Sequence, residues 1–218
     1  MIDVVMPNNN EAELVNMAKE LGYDSLCFLY EKTVKRRKYD IPVYYGILVE
    51  GFDEVRRFRK ERDLIFVKSG DKDREIIEKS KVDAIFDLED NKLKDRTHFR
   101  SSGLDHVMAR FCHEKEKTVV VNFKTLLAAG LLRRAVLIGR IMQNIRLMRK
   151  YGFNMTIVSF AKSVKEMRSA HDFHSLLVSL GMHPSEAKKG MGALERIAKK
   201  NIFRRSERYI AEGVEYVD

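Results

Sequence analysis

The sequence is poor in the residues and segments that mark secreted or membrane proteins. Its 218 residues include two cysteines, three prolines and no tryptophan. Cys27 and Cys112 have no CxxC neighbour, so we interpret both as reduced thiols of the core. No apolar run approaches the ~18 residues that cross a bilayer, and the N-terminal segment lacks the basic start of a signal peptide. We therefore expect a cytoplasmic protein that does not enter a membrane.

Sequence motifs of protein-based catalysis are also missing. The chain contains no HxH, HExxH, GxSxG, GxxxxGK[ST] or GxGxxG element. The segment Gly190-Met191-Gly192 lies inside a helical pattern, which predicts a packing position rather than a phosphate-binding turn. We therefore expect no catalytic residue, no metal ligand and no cofactor bound by this chain.

Two pairs of side chains keep a metal-dependent alternative open. His171 and His174 lie three residues apart and can share one helix face. Asp87 and Glu89 lie at the end of a predicted strand and can bind a divalent ion together, although a solvated strand end explains them equally well. The alternative hypothesis is therefore a barrel phosphoesterase that uses some of these four residues.

Short apolar runs alternate with predicted helices along the chain, a pattern typical of parallel strands joined by right-handed crossovers. The predicted strands are 2–6, 25–30, 43–50, 64–68, 83–88, 118–123 and 155–160, with an eighth near 178–182. One predicted helix follows the first strand and ends near residue 21. The other predicted helices span 53–61, 74–80, 104–117, 132–151, 173–180 and 185–199. This number of strands favours a single-domain α/β, TIM-barrel-like (β/α) barrel, and an open doubly wound sheet is the alternative. We predict a barrel domain over residues 1–200 and a charged, loose tail over 201–218.

The charge balance favours a polyanionic partner. Lysine and arginine number 41 against 32 aspartate and glutamate, a formal net charge of +9. Part of the excess lies in two predicted functional loops, 31–41 and 89–102, and the KRRK run 35–38 is either a solvated loop or a phosphate contact. No acidic residue occurs between Asn122 and Ser163, and the helix 132–151 carries one apolar and one cationic arc. The cationic arc is predicted to be exposed, and consists of Arg133, Arg140, Gln143, Asn144, Arg146 and Lys150.

Several segments, in this order, resemble one family. Gly103–Arg110 (GLDHVMAR) resembles its G-[IL]-D-H-x-[LM]-A-[KR] motif, and Gln143–Gly152 its N-I-R-L-x-R-K-Y-[GK] helix end. Met167–Asp172 (MRSAHD) resembles its [LM]-R-S-P-x-D element, with Ala170 in place of the usual proline, which predicts a looser turn. Ser159–Ala161 resembles its S-[SG]-A turn, with Phe160 in place of a small residue, which predicts crowding. The family is archaeal ribonuclease P protein component 3, which has eukaryotic counterparts.

The resemblance implies a subunit of ribonuclease P, the endoribonuclease that removes the 5′ leader from precursor tRNA. It implies that the RNA subunit carries the catalytic Mg²⁺ ions and the chemistry. The implied partners are that RNA, precursor tRNA in the holoenzyme, component 2 and the other protein subunits. Metal-dependent phosphatases of the polymerase-and-histidinol-phosphatase type have a related fold and open with HxH on the first strand, where this chain has Asp3-Val4-Val5-Met6.

Within this hypothesis we expect the RNA to meet cations just after the carboxyl ends of the strands and on the helix 132–151. Asp105 and Asp172 are predicted to cap helices. The predicted RNA-binding residues are His106, Arg110, Lys124, Arg133, Arg140 and Arg168.

Overall fold

Seven parallel strands pair in chain order in the computed structural model, which describes residues 1–207, 209–211 and 214–215. The strands are β1 (Ile2–Val5), β2 (Ser25–Tyr30), β3 (Val43–Val49), β4 (Leu64–Lys68), β5 (Ala84–Phe86), β6 (Thr118–Asn122) and β7 (Asn154–Val158). All seven match predicted strands. Their β-branched and aromatic runs are buried on both faces, as expected for parallel strands covered by helices.

Residues that follow β7 form hydrogen bonds with β1 and thereby join the two ends of the sheet. The Phe160 N–H donates to the Val4 carbonyl at 2.9 Å, and the Met6 N–H donates to the Ala161 carbonyl at 2.8 Å. Asp3 adds its carboxylate, which accepts from the Ser159 N–H at 2.8 Å and from the Ser159 hydroxyl at 2.6 Å. The TIM-barrel-like prediction is confirmed as a nearly closed seven-stranded barrel. The predicted eighth strand at 178–182 is wrong, because this segment ends a helix and forms the turn after it.

Helices follow most strands and cover the barrel. They are α1 (Glu11–Glu20), α2 (Phe52–Phe58), α3 (Asp73–Lys79), α4 (His106–Glu114), α5 (Phe123–Ala128), α6 (Leu131–Tyr151), α7 (Ala170–Ser179), α8 (Pro184–Met191) and α9 (Ala193–Phe203). The helix predicted over 185–199 is in fact α8 and α9, which Gly192 separates. The short helix α5 was not predicted. None of the helices in the described ranges combines the length and hydrophobicity of a bilayer span.

After α9 the chain forms a small antiparallel pair, β8 (Tyr209–Ala211) and β9 (Val214–Glu215). Residues 208, 212–213 and 216–218 of the predicted tail lie outside the described residues. The division at residue 200 into barrel and loose tail stays a prediction.

Alternating side chains of the strands form two apolar clusters. One fills the barrel and includes Val4, Leu29 and Val120, with Leu194 and Ala198 of α9 packed against it. The other lies between the strands and the outer helices. Because α9 also packs on the amino ends of the strands through Asn201, which donates to the Asp63 carbonyl at 2.8 Å, that end of the barrel is covered. The opposite, carboxyl end carries the loops that lead into the helices.

Gly190 confirms the packing role predicted for the Gly190-Met191-Gly192 segment. A Cβ atom at this position would lie 2.1 Å from the Met155 carbonyl oxygen, so only glycine lets α8 approach β7 this closely.

Asp3 makes the barrel closure sensitive to pH. Burial raises the pKa of its carboxyl to about 6, although hydrogen bonds from Ser159 and Val4 oppose the shift. A raised folded-state pKa gives stability that is fully present below the unfolded value, near 3.8, and is lost as pH rises through about 6.

We therefore expect the free energy of unfolding of the wild type, relative to Asp3→Asn, to fall by about 2 kcal/mol as pH rises from 4 to 7. Urea unfolding of both proteins across this range measures the difference, and the uncharged amide of the variant supplies a reference that does not titrate. A difference that is constant over the range contradicts the assignment.

Candidate nucleic-acid interface

Most of the predicted RNA-binding residues lie at helix starts. His106 is the first residue of α4, Lys124 the second of α5 and Arg133 the third of α6, while Arg168 directly precedes the capping residue of α7. In a parallel barrel the helix starts follow the carboxyl ends of the strands, where such barrels place their sites. We call this end of the barrel the carboxyl rim.

Apolar rings fill the barrel opening inside the carboxyl rim. Phe160 packs against Phe86 with ring centroids 4.7 Å apart and against Phe66 at 6.2 Å. Its backbone has φ +47°, in the left-handed region that non-glycine residues rarely adopt. The crowding predicted for a bulky residue at this position therefore appears as an unfavourable backbone conformation. The ring itself is buried, with 2% of the residue exposed.

Of the two acidic residues considered as metal ligands, Asp87 is held by neighbouring side chains and Glu89 is mostly uncharged. Asp87 accepts from the Thr125 hydroxyl at 3.0 Å and from the Asn122 amide at 3.3 Å, and lies 3.5 Å from the Lys68 ammonium. Burial raises the pKa of Glu89 to about 8, so this side chain is mostly protonated at neutral pH. A protonated carboxyl is a poor ligand for a divalent ion.

The two histidines of the metal-dependent alternative lie on α7. His171 is exposed, and a ring nitrogen of His174 lies 3.2 Å from the Pro184 carbonyl oxygen. Within residues 1–207, 209–211 and 214–215, no three histidine, cysteine or acidic side chains converge as metal ligands.

The predicted cations of the carboxyl rim differ in how they are held. His106 and Arg110 are exposed on α4. Lys124 pairs with Glu166 at 3.2 Å and Arg133 with Asp90 at 2.6 Å, but all four of these side chains are about one-third exposed or more. Arg168 stacks on Phe123, its guanidinium carbon 5.6 Å from the ring centroid. His106 and Arg110 are thus fully available to a polyanion, and the other three are partly exposed.

Arg140 differs from the other five. It was predicted to be an exposed cation, and this prediction of exposure is wrong, since only 1% of its side chain is accessible. Its guanidinium pairs with Asp95 at 2.8 Å and donates to the carbonyls of Glu89 at 2.9 Å and Asn91 at 3.1 Å. Arg140 therefore anchors a loop, and its donors are not free for a phosphate in this structure.

The anchored segment is the predicted functional loop 89–102, which lies along α6. Gln143 accepts from the Arg100 N–H at 3.0 Å and donates to the Arg100 carbonyl at 2.8 Å. Asn144, also predicted to be exposed, is buried and donates to the Ser102 carbonyl at 3.2 Å. Most of the predicted cationic arc of α6 thus binds this loop, and Arg146 and Lys150 remain exposed.

Two other basic segments are partly structural. In the KRRK run, Arg36 pairs with the buried Asp63 at 2.8 Å, and after α2 Arg59 pairs with Asp83 at 2.7 Å. Asp63 and Asp83 directly precede β4 and β5, so these pairs lie at the amino end of the barrel. They place part of the basic charge away from the carboxyl rim.

Helix capping follows the prediction at one of two residues. Asp105 accepts from the N–H groups of Val107 and Met108, both at 2.8 Å, and caps α4. The cap of α7 is Ser169 rather than Asp172, since the Ser169 hydroxyl accepts from the Asp172 N–H at 3.0 Å.

The turn before α7 gains a hydrogen bond from Ala170. The Ala170 N–H donates to the Leu21 carbonyl at 3.2 Å, a bond that proline cannot make, so alanine does not simply loosen this turn.

Comparison with known sequences finds one family over most of the chain. A sequence model of the family described as RNase P subunit p30 matches residues 1–206. Ribonuclease P protein component 3 of Methanococcus maripaludis strain C7 is 24% identical over 225 aligned positions, which cover 99% of this chain and 88% of that protein.

Comparison with solved structures finds the same architecture. A chain in the cryo-electron microscopy structure of archaeal ribonuclease P with mature tRNA superposes with a TM-score of 0.84 at 24% identity, covering 100% of this chain and 98% of that one. The histidinol phosphate phosphatase of Lactococcus lactis, solved with zinc, L-histidinol and phosphate, superposes with a TM-score of 0.53 at 10% identity, covering 84% and 94%. At these identities the likeness concerns the fold.

Proposed function

The chain belongs to the RNase P subunit p30 family, and from this premise we propose that it binds and stabilises the catalytic RNA of ribonuclease P. It is a protein subunit of this endoribonuclease, which acts on precursor tRNA. In the proposed division of labour, the RNA removes the 5′ leader with its own Mg²⁺ ions. This chain supplies cations that hold the RNA in its active fold.

One observation carries this proposal: the carboxyl rim is surrounded by accessible cations while its centre is filled by rings. In enzymes built on parallel barrels the active site lies at this end. Here Phe66, Phe86 and Phe160 occupy it. The helices α4 and α6 also start here, and the positive ends of their dipoles favour phosphate at the rim.

The family name and the solved relative suggest the partners. That relative was solved within archaeal ribonuclease P bound to mature tRNA. We propose that this chain likewise assembles with ribonuclease P RNA, meets precursor tRNA in the holoenzyme and contacts component 2 and other protein subunits in the cytoplasm.

Removing rim cations should change how RNA binding depends on salt. We expect the triple variant Arg110→Ala, Lys124→Ala, Arg133→Ala to bind ribonuclease P RNA more weakly. Each lost phosphate contact flattens the log–log dependence on salt by about one unit, so the slope should become shallower by up to about 3. Filter binding across a salt series measures both quantities.

The matched control removes three exposed lysines away from the rim: Lys115, at the end of α4, and Lys188 and Lys189, in the last turn of α8. It has the same net charge as the rim variant. Equal weakening by both variants would mean that overall charge, rather than the carboxyl rim, governs binding.

A further inference from the structure

A polar pocket of about 380 Å³ lies between the loop 89–102 and α6. This volume is within the range of small-molecule sites, ~300–1,000 Å³. The lining residues are Asp95 to Arg100 of the loop and Gly139, Met142, Gln143 and Arg146 of α6. The sequence places these residues in the predicted functional loop 89–102 and on the helix 132–151, but it does not predict that they form a pocket.

The pocket has an exposed aromatic ring backed by a cation. Phe99 is 51% exposed, although burial of its ring would be favourable. The Arg96 guanidinium carbon lies 5.4 Å from the Phe99 ring centroid. The Arg96 N–H also donates to the Phe99 carbonyl at 2.9 Å, so a tight turn fixes the two side chains together. Such a pair presents a flat π surface beside positive charge, which is the combination that stacks a nucleic-acid base.

The other charges of the pocket are mostly positive. Arg100 and Arg146 are exposed at its sides, and Asp95 is the one acid among its described lining residues. Asp95 accepts from the Ser101 N–H at 2.9 Å, pairs with Arg140 at 2.8 Å and lies 3.5 Å from the Arg100 guanidinium, so one carboxylate is shared by two arginines. Although burial opposes the shift, these hydrogen bonds hold the pKa of Asp95 below its usual range. The free charge at the pocket therefore favours a phosphate.

The pocket is also preorganised. Arg140 and Gln143 tie the loop to α6, as described above. Arg100 lies directly over Gly139, where a Cβ atom would come within 2.4 Å of the guanidinium carbon. A loop held in this way loses little conformational freedom when a ligand binds.

We propose that this pocket binds an unpaired nucleotide of RNA, whose base stacks on Phe99 and whose phosphate lies against Arg100 and Arg146. The pocket tolerates different bases, because the Gln143 amide is occupied by the Arg100 backbone and by the Ser102 hydroxyl at 3.1 Å. The inference rests on the proposed RNA-binding function. It adds that single-stranded RNA is recognised by stacking, in addition to the charge of the carboxyl rim.

The test compares single-stranded and duplex RNA. Fluorescence anisotropy of the full chain is measured with a labelled oligouridylate of about 12 nucleotides, a usual site size, and with its duplex. The variants are Phe99→Ala, Phe99→Trp and Leu93→Ala. Leu93 is the matched control, since it is 65% exposed in the same loop but does not line the pocket.

We expect Phe99→Ala to weaken single-strand binding about tenfold, as loss of one stacked base does, with an unchanged salt slope. Phe99→Trp and Leu93→Ala should bind as the wild type, and duplex binding should be equal in all four proteins. If Phe99→Ala binds single-stranded RNA as the wild type does, or loses affinity for the duplex equally, the pocket does not bind an unpaired nucleotide. Either result leaves the proposed RNA-binding function standing. A wild type that binds neither RNA overturns the proposed function and the pocket together.

Discussion

Replacement of Arg140 by alanine is expected to lower the free energy of unfolding by about 3–5 kcal/mol, because it removes a buried guanidinium that makes several charge-assisted hydrogen bonds of about 1.5–3 kcal/mol each. Arg140 is nearly inaccessible, and it binds Asp95 together with carbonyls of Glu89 and Asn91. Alanine would remove the Arg140 donor from the Glu89 and Leu93 carbonyls and leave a cavity beneath the loop, whereas Asp95 keeps the Ser101 N–H and the Asn91 carbonyl keeps Arg133. The loop 89–102 should also become a site of early proteolytic cleavage.

Urea unfolding measures the loss of stability, and two variants control it. Arg140→Lys keeps the charge but cannot reproduce the forked geometry of the guanidinium, so we expect an intermediate loss. Arg146→Ala removes an exposed arginine of the same helix and should change stability by less than about 0.5 kcal/mol. If Arg140→Ala costs less than about 1 kcal/mol, Arg140 does not anchor the loop in solution.

Truncation of Phe160 is expected to have a similar effect at the barrel opening. Phe160→Ala removes a buried ring that packs between Phe66 and Phe86, and such truncations cost about 3–5 kcal/mol. Affinity for ribonuclease P RNA should stay within about twofold, because the accessible cations lie around the opening and keep their positions. Thermal or urea unfolding and filter binding measure the two effects separately.

Phe160→Gly separates packing from backbone strain. Glycine also loses the ring but adopts φ +47° freely, so it should be about 1 kcal/mol more stable than the alanine variant. If alanine and glycine are equally stable, the left-handed backbone at residue 160 carries no strain. If neither variant is destabilised, the ring does not close the opening.

The sequence predicted the barrel well because its signals are local. Runs such as Leu64–Lys68 and Thr118–Asn122 are short, branched and apolar, and the residues between them have helical character. The prediction of an eighth strand was wrong because the apolar run Val178–Met182 includes the end of α7. A short apolar run does not by itself distinguish a strand from a buried helix end.

The candidate interface was predicted only in part, since it depends on contacts distant in sequence. Helical periodicity placed Arg140 and Asn144 on the polar arc of α6, and the arc is polar as predicted. What covers this arc is a loop more than 40 residues away, whose Asp95 carboxylate pairs with Arg140 and whose carbonyls accept hydrogen bonds from Arg140 and Asn144. Phe99 is one of several aromatic residues that the sequence offers for base stacking, but its pairing with Arg96 depends on a turn that the sequence did not predict.

Reconstituted leader removal tests the central claim most directly. Ribonuclease P RNA, precursor tRNA and the other protein subunits are combined with Mg²⁺, with and without this chain. We expect cleavage at the 5′ leader to be faster with the chain, and the chain alone to cleave neither precursor tRNA nor a generic phosphodiester when manganese or zinc is added. Cleavage by the chain without the RNA, lost on His171 replacement, would contradict the account and favour the phosphoesterase.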